Sequence, residues 1–100
     1  MFAISGYLAY DEKDRDFVLA GLRAIAERSR QDAGCVEYWW AEDVEMANRF
    51  RFFECWATEA DFEAHSAAPY EKEFMADYVS RITGADANVL VISSRGPAVA

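Results

Sequence analysis

Residues that build metal centres and disulfide scaffolds are scarce in this sequence. Two cysteines, Cys35 and Cys55, cannot form a disulfide framework or a zinc cluster, and each lies in an apolar run where a free thiol acts as a small hydrophobic group. His65 is the single histidine, and the sequence contains neither an HExxH segment nor an EF-hand loop. We therefore expect no bound metal and no structural disulfide.

Phosphate-binding loops, long apolar runs and positive charge are also lacking. The sequence has no glycine-rich phosphate loop, and no apolar run approaches the ~18 residues of a membrane span. Ten Lys and Arg stand against 18 Asp and Glu, which gives a net charge of −8. Phosphate backbones and anionic lipid repel such a chain, so we expect neither nucleic acid nor a membrane as a partner. Residues 1–14 carry no positive charge before their apolar stretch, which is not typical of a signal peptide, and we expect a cytoplasmic protein.

Hydrophobic residues, in contrast, are abundant. They make up 53% of the chain, and aromatic residues make up 15%. This composition is too apolar for a disordered segment, and 100 residues is the length of one small domain. We expect a single domain over residues 1–95 and a fraying C-terminal tail over residues 96–100.

Hydropathy periodicity divides the chain into strands and helices. Residues 2–10 alternate with period two, which predicts a strand, and apolar residues recur at helical spacing over residues 14–31. Two further strands are predicted over 35–41 and 48–56, followed by a short helix capped by Thr58. A second helix is predicted from Pro69 through Ile82, with Gly84 near its end. The last predicted strand, over 88–94, is apolar enough to be covered on both faces. The order β-α-β-β-α-β predicts an α+β, ferredoxin-like fold with a four-stranded antiparallel sheet.

Large apolar side chains occupy both faces of the predicted sheet. Trp39 and Trp40 point to opposite faces of the second strand, and Phe52 and Phe53 do the same on the third. Two helical segments cover only one face of such a sheet, so the other face needs a partner. We expect a homodimer formed by sheet-to-sheet packing; the alternative is a monomer with an exposed aromatic patch.

Five short segments of the sequence, in this order and spacing, resemble the antibiotic biosynthesis monooxygenase (ABM) family. They are Asp32-Ala-Gly-Cys-Val-Glu-Tyr38, Arg49-Phe50, Phe53-Glu54-Cys55-Trp56, Glu63-Ala64-His65 and Ala68-Pro69-Tyr70. The resemblance extends over about residues 2–93 and implies a dimeric α+β barrel. The family includes cofactor-independent quinol and anthrone oxygenases, an isomerase of a phosphorylated sugar derivative and haem-degrading members. Several members have a histidine directly after the proline, where this chain has Tyr70.

The candidate catalytic residues are His65, Glu54 and Tyr70. An imidazole titrates near neutral pH and can accept a phenolic proton, Glu54 can orient that imidazole, and Tyr70 can donate a hydrogen bond to a ligand oxygen. One alternative is a structural His65 bonded to Glu54 or to a backbone carbonyl. Others are a Glu54 paired with Arg49, Arg51 or an arginine of a partner chain, and a Tyr70 that only packs. The candidate substrate-binding residues are aromatic, and Trp56 among them can stack on a planar ring; the others are Phe52, Tyr38, Trp40 and Phe74. The alternative for each is a packing role in the core.

The leading functional hypothesis is a cofactor-independent monooxygenase that oxidises a hydroxylated aromatic, such as a quinol or an anthrone, with molecular oxygen as co-substrate. One alternative is an isomerase of a small keto-sugar phosphate, which needs a cationic phosphate site; near the expected pocket only Arg49, Arg51 and Lys72 are available. The other is a dimeric, non-enzymatic module that binds an aromatic metabolite.

Overall fold

The computed structural model describes residues 1–99 of the chain and contains the predicted order of elements. The strands are β1 (Phe2–Tyr10), β2 (Cys35–Glu42), β3 (Arg49–Trp56) and β4 (Ile82–Val91), and the helices are α1 (Arg15–Ser29), α2 (Glu59–Ala67) and α3 (Pro69–Tyr78). Short 3₁₀ turns at Glu12–Asp14 and Val79–Arg81 precede α1 and β4. The fold is thus the ferredoxin-like α+β arrangement that the periodicity predicts.

The four strands form one antiparallel sheet in the order β2-β3-β1-β4. Val18, Leu22 and Ile25 of α1 are buried in one core cluster with Tyr10 of β1 and Phe50 of β3. Burying such an aliphatic side chain contributes about 1.5–3 kcal/mol, so this stripe holds α1 on the sheet. None of the helices within residues 1–99 has both the length and the apolar character that crossing a membrane requires.

The connection from α1 to β2 positions one side of the candidate site. The helix is shorter than the predicted range of 14–31 and ends at Ser29. A turn follows in which the Asp32 amide donates to the Ser29 carbonyl oxygen at 3.1 Å. Gly34 then adopts a φ of 79°, a conformation that an L side chain disfavours, and the chain enters β2. Asp32 is thereby held beside the N-terminal end of the edge strand.

The break between α2 and α3 positions the other side. The Thr58 hydroxyl accepts a hydrogen bond from the Asp61 amide at 3.1 Å, which confirms the predicted cap. Ala68 has an extended backbone, and Pro69 begins α3, where the amide hydrogen that it lacks would have no helical partner. His65, in the last turn of α2, is consequently close to the first turn of α3.

The predicted extent of the last helix and strand is wrong. Ile82 and Gly84 belong to β4 rather than to the helix, and the strand ends at Val91 instead of residue 94. The helical spacing of apolar residues continues into the segment that forms the strand. Pairing with β1, which places Ile82 opposite Tyr10, overrides this spacing and makes the segment a strand. β4 is an edge strand that is mostly exposed, so residues 1–99 do not cover it on both faces.

The predicted two-faced character of the sheet is confirmed. On the helix-facing side the rings of Trp40 and Phe52 lie 4.8 Å apart, and on the outer face those of Trp39 and Phe53 lie 6.1 Å apart. No helix of residues 1–99 covers the outer face. Within residues 1–99, Arg95 of the C-terminal segment reaches one end of this face and contacts Glu37 at 2.7 Å.

Candidate functional site

His65 is the centre of a buried polar cluster between the sheet and the helices. Its residue is 3% exposed, and its ring packs on Trp56 with centroids 4.6 Å apart and planes inclined by 31°. Tyr38 of β2 and Tyr70 of α3 approach the imidazole edge-on, at 5.8 and 5.9 Å. The sequence places His65 on the Phe62 side of its short helix, which predicts an imidazole that faces the sheet rather than water, and this prediction is confirmed.

Asp32 and Tyr70 hold the Nδ1 side of the imidazole. Nδ1 lies 3.1 Å from Asp32 Oδ2 and 2.9 Å from the Tyr70 hydroxyl, and that hydroxyl in turn donates to Asp32 and contacts Ser29 Oγ at 3.4 Å. Because the carboxylate can only accept, we assign the hydrogen to Nδ1, and Nε2 is then the basic nitrogen of the neutral ring. Tyr70 therefore does more than pack, and its hydroxyl is engaged within the chain.

The charge on Asp32 is stabilised by its donors. Burial by itself would raise the pKa of this carboxyl, but the hydrogen bonds from Tyr70, His65 and Arg28 outweigh it and bring the pKa below 3.8. Arg28 Nη1 lies 2.7 Å from Asp32 Oδ1, and its guanidinium stacks on the Tyr70 ring at 4.4 Å. The cluster thus contains one ionised carboxylate with a cation on its outer side.

Glu54 is not the orienting residue that the sequence led us to expect. Within residues 1–99 its side chain bonds to Trp56 instead, whose indole Nε1 donates to Glu54 Oε1 at 3.1 Å. Pairing with Arg49 or Arg51 is also wrong, because strand alternation sends both arginines to the outer face, where they contact Asp43 at 2.8 and 3.6 Å. Glu54 is buried, and burial raises its pKa despite the opposing effects of Trp56 and His65.

Glu71 is a site residue that the sequence reasoning did not identify. It lies in the first turn of α3, and its Oε2 is 3.7 Å from His65 Nε2. Oε2 is enclosed and has no hydrogen-bond partner within residues 1–99. Burial raises the pKa of this carboxyl, and the neighbouring imidazole partly offsets the effect. Its position directly after Pro69-Tyr70 was the available signal.

The predicted aromatic residues divide into two groups. Trp56 and Tyr38 contact the imidazole, and the Tyr38 hydroxyl accepts from the Trp40 indole at 3.2 Å, while burial raises the pKa of Tyr38. Phe52 packs on Trp40, and the ring of Phe74 stacks on that of Tyr78 with centroids 4.5 Å apart. None of the ring contacts described within residues 1–99 joins Phe52, Trp40 or Phe74 to His65.

Two grooves lie along α1, and one of them is bordered by a residue of the cluster. One of about 570 Å³ lies between α1 and the edge strand β2, with Leu22, Trp40 and Phe50 in its lining. A second of about 320 Å³ lies between α1 and α3 and is bordered by Tyr70 and Phe74, among others. His65 borders neither groove, so Tyr70 is the member of the cluster that faces one of them.

Metal-ligating groups do not converge in the described part of the chain. Over residues 1–99 no three His, Cys, Asp or Glu side chains are arranged to hold a metal ion. Cys35 and Cys55 are both free thiols. The chemistry that this cluster offers is proton transfer between an imidazole and carboxyl groups, beside the ring of Trp56.

A four-stranded antiparallel sheet with a buried imidazole–carboxylate cluster on its helical side defines a small ferredoxin-like α+β protein. The sequence model of the family described as antibiotic biosynthesis monooxygenase (ABM) matches residues 1–77, and the chain belongs to this family. The resemblance drawn from the five segments is thereby confirmed.

The proteins similar to this chain include a curated relative and several solved structures. The uncharacterized protein sll1783 of Synechocystis sp. (strain PCC 6803) is 31% identical over 72 residues, which cover 72% of this chain and 49% of that protein, so the match spans about half of the relative's length. The crystal structure of a candidate antibiotic biosynthesis monooxygenase from Deinococcus radiodurans has a TM-score of 0.91 at 20% identity and full coverage of both chains. Rv0793 of Mycobacterium tuberculosis has a TM-score of 0.86 at 18% identity, covering 96% of this chain and 98% of that one.

Proposed function

We propose that the protein is a cofactor-independent monooxygenase that oxidises a hydroxylated aromatic of the quinol or anthrone class with O₂. One observation carries the proposal: a buried imidazole has its Nδ1 hydrogen directed to Asp32 while its ring lies against Trp56. This arrangement places a group that can exchange a proton next to an aromatic wall. Membership of the ABM family supports the same reaction class.

Such a reaction needs little from the protein beyond proton removal and shelter. A deprotonated quinol or anthrone is electron-rich enough to pass an electron to O₂ itself, and the resulting radical pair combines at the ring carbon. For an anthrone methylene, loss of two hydrogens gives a carbonyl that keeps one oxygen atom, and the other oxygen leaves as water. A buried base and aromatic walls serve this chemistry by holding the ring and excluding water.

The sugar-phosphate isomerase is the less supported alternative. It requires an unpaired cation near the imidazole, but Arg28 is already paired with Asp32 at 2.7 Å, and Arg49 and Arg51 contact Asp43 on the outer face of the sheet. Asp32, Glu54 and Glu71 around His65 would repel a phosphate group. An aromatic-binding module without turnover remains the alternative that the experiment below separates.

We further propose that a second copy of the chain covers the outer face of the sheet. This face presents Phe53 with the exposed side chains Trp39 (37%) and Leu90 (42%), and no helix of residues 1–99 lies on it. Light scattering after size exclusion should give twice the monomer mass. Phe53→Asp should shift the mass toward the monomer, and a wild-type protein that is monomeric would contradict the proposal.

The oxygenase proposal is tested by oxygen consumption. Metal-stripped protein is mixed with hydroquinones, naphthoquinols and anthrones, each beside a protein-free control because these compounds oxidise spontaneously. We expect saturable uptake above background, and His65→Gln should lower it at least about tenfold. Glu63→Gln, on the exposed side of the same helix, is the matched control and should keep full activity.

Each contrary result has a separate meaning. Background uptake combined with quenching of tryptophan fluorescence by the same compounds would identify a binding module. Full activity of His65→Gln with a lowered Tm would assign this residue a structural role.

A further inference from the structure

Two hydrogen-bond acceptors face each other at the Nε2 side of His65. With its hydrogen on Nδ1, a neutral imidazole carries only a lone pair at Nε2. Glu71 Oε2 lies 3.7 Å away, is enclosed, and has no hydrogen-bond partner within residues 1–99. Two enclosed lone pairs at this distance are unfavourable, so the two groups have to hold one proton between them, either on the nitrogen or on the carboxyl.

Glu71 is the more exposed member of this pair. Its side chain is 17% exposed, compared with 2% for His65. Of its two carboxyl oxygens only Oε2 is both enclosed and unpartnered in the described part of the chain. The other oxygen, Oε1, therefore lies toward the accessible side of the cluster.

The surroundings of Glu71 favour a strong base at this carboxyl. The titratable groups that act on it, besides its burial, are His65, Glu54 and Asp32. Burial raises the pKa of Glu71, which brings it nearer to that of a phenol and makes proton transfer from a phenol easier. Asp32 is already neutralised on its outer side by Arg28, at 2.7 Å.

We propose that Glu71 is the catalytic residue that contacts the substrate hydroxyl and accepts its proton, while His65 holds the compensating positive charge. The proposal rests on the function proposed above, because it names the group through which the cluster meets a phenolic O–H. In this step the substrate O–H bond breaks, the proton forms a new O–H bond at Glu71 Oε1, and the electron pair stays on the substrate as phenolate. No oxidant takes part, and the imidazolium offsets the new negative charge.

The step can be tested without turnover by using 4-nitrophenol, whose phenolate is coloured and which O₂ does not oxidise under mild conditions. The phenol is added to the full-length protein at a pH where the free compound is neutral, and bound phenolate is read from its absorption band. Wild-type protein should bind the phenol as phenolate. Glu71→Gln should bind it as the neutral phenol, with a band at least about tenfold weaker.

Two further variants separate the role of the carboxyl from an effect on folding. Glu71→Asp retains a carboxyl one methylene further back and should give a band between those of wild type and Glu71→Gln. Glu63→Gln removes the same charge from an exposed position on the neighbouring helix α2 and should leave the band unchanged. Circular dichroism of all variants reports their folding.

Equal phenolate bands for wild type and Glu71→Gln would overturn the proposal, as would the absence of bound phenolate in the wild type. Failure of the oxygenase function has a different signature, since it abolishes oxygen uptake and leaves the phenolate band in place.

Discussion

Replacing Asp32 with asparagine tests the buried network around the imidazole. Asp32 accepts hydrogen bonds from Tyr70, His65 Nδ1 and Arg28. An enclosed hydrogen bond to a charged group contributes about 1.5–3 kcal/mol, whereas the half-exposed Arg28 contact contributes about 0–1 kcal/mol. Asparagine retains one neutral acceptor, so Asp32→Asn should lower the unfolding free energy at neutral pH by about 2–4 kcal/mol, or the Tm by about 10–25 °C.

The pH dependence of that loss identifies the charge as its cause. The pKa of Asp32 lies below 3.8 in the folded chain, so its ionised form stabilises the fold fully above pH 3.8, and this contribution disappears as the pH falls through the lowered pKa. The stability difference between wild type and Asp32→Asn should therefore be constant near neutral pH and narrow below pH 3.8. Urea unfolding followed by tryptophan fluorescence measures it.

Asp11→Asn is the matched control for this prediction. Asp11 is exposed and makes no side-chain hydrogen bond as the residue that precedes the first 3₁₀ turn. The reasoning is refuted if Asp32→Asn and Asp11→Asn have the same stability at neutral pH, or if the deficit of Asp32→Asn is as large in acid as at neutral pH.

Two stability predictions concern other positions. Burial raises the pKa of Glu54 above 4.5, so its ionisation destabilises the fold as the pH rises past 4.5. Glu54→Gln keeps an acceptor for Trp56, and its stability relative to wild type in urea unfolding should increase with pH above 4.5. A stability difference that does not change with pH would contradict this. Gly34→Ala should lower the unfolding free energy by about 1–3 kcal/mol, because φ is 79° and the new Cβ would meet the Asp61 carboxyl. Gly96→Ala adds its Cβ in open space and should leave the unfolding free energy unchanged. Equal stability of the two variants would refute the backbone strain at Gly34.

The partners of His65 show where sequence reasoning stops. Strand alternation was enough to send Glu54 and Trp56 to the same face, and helical spacing put His65 over them. Neither rule identifies Asp32, which is 33 residues from His65 in sequence and meets it because the turn at Gly34 returns the chain beside α2. A carboxylate in a turn and one in a first helical turn look like ordinary solvated charges until the fold encloses them.

The last strand shows the same limit in secondary structure. Apolar residues from Tyr70 to Ile82 continue at helical spacing, and only pairing with β1 makes Ile82 the start of a strand. Conversely, the alternation of Trp39 with Trp40 and of Phe52 with Phe53 was sufficient to predict a sheet with two apolar faces, because the side-chain period of a strand is two.

Local periodicity, capping chemistry at Thr58 and the break at Pro69 by themselves determined the order of the elements, the antiparallel α+β class and the inward direction of His65. These features depend on spacing along the chain, which the sequence records directly. The tertiary structure alone decided which carboxyl groups surround the imidazole and how each is charged. Burial and hydrogen bonding between distant segments set those properties, and these arise only when Asp32, His65 and Glu71 are enclosed together.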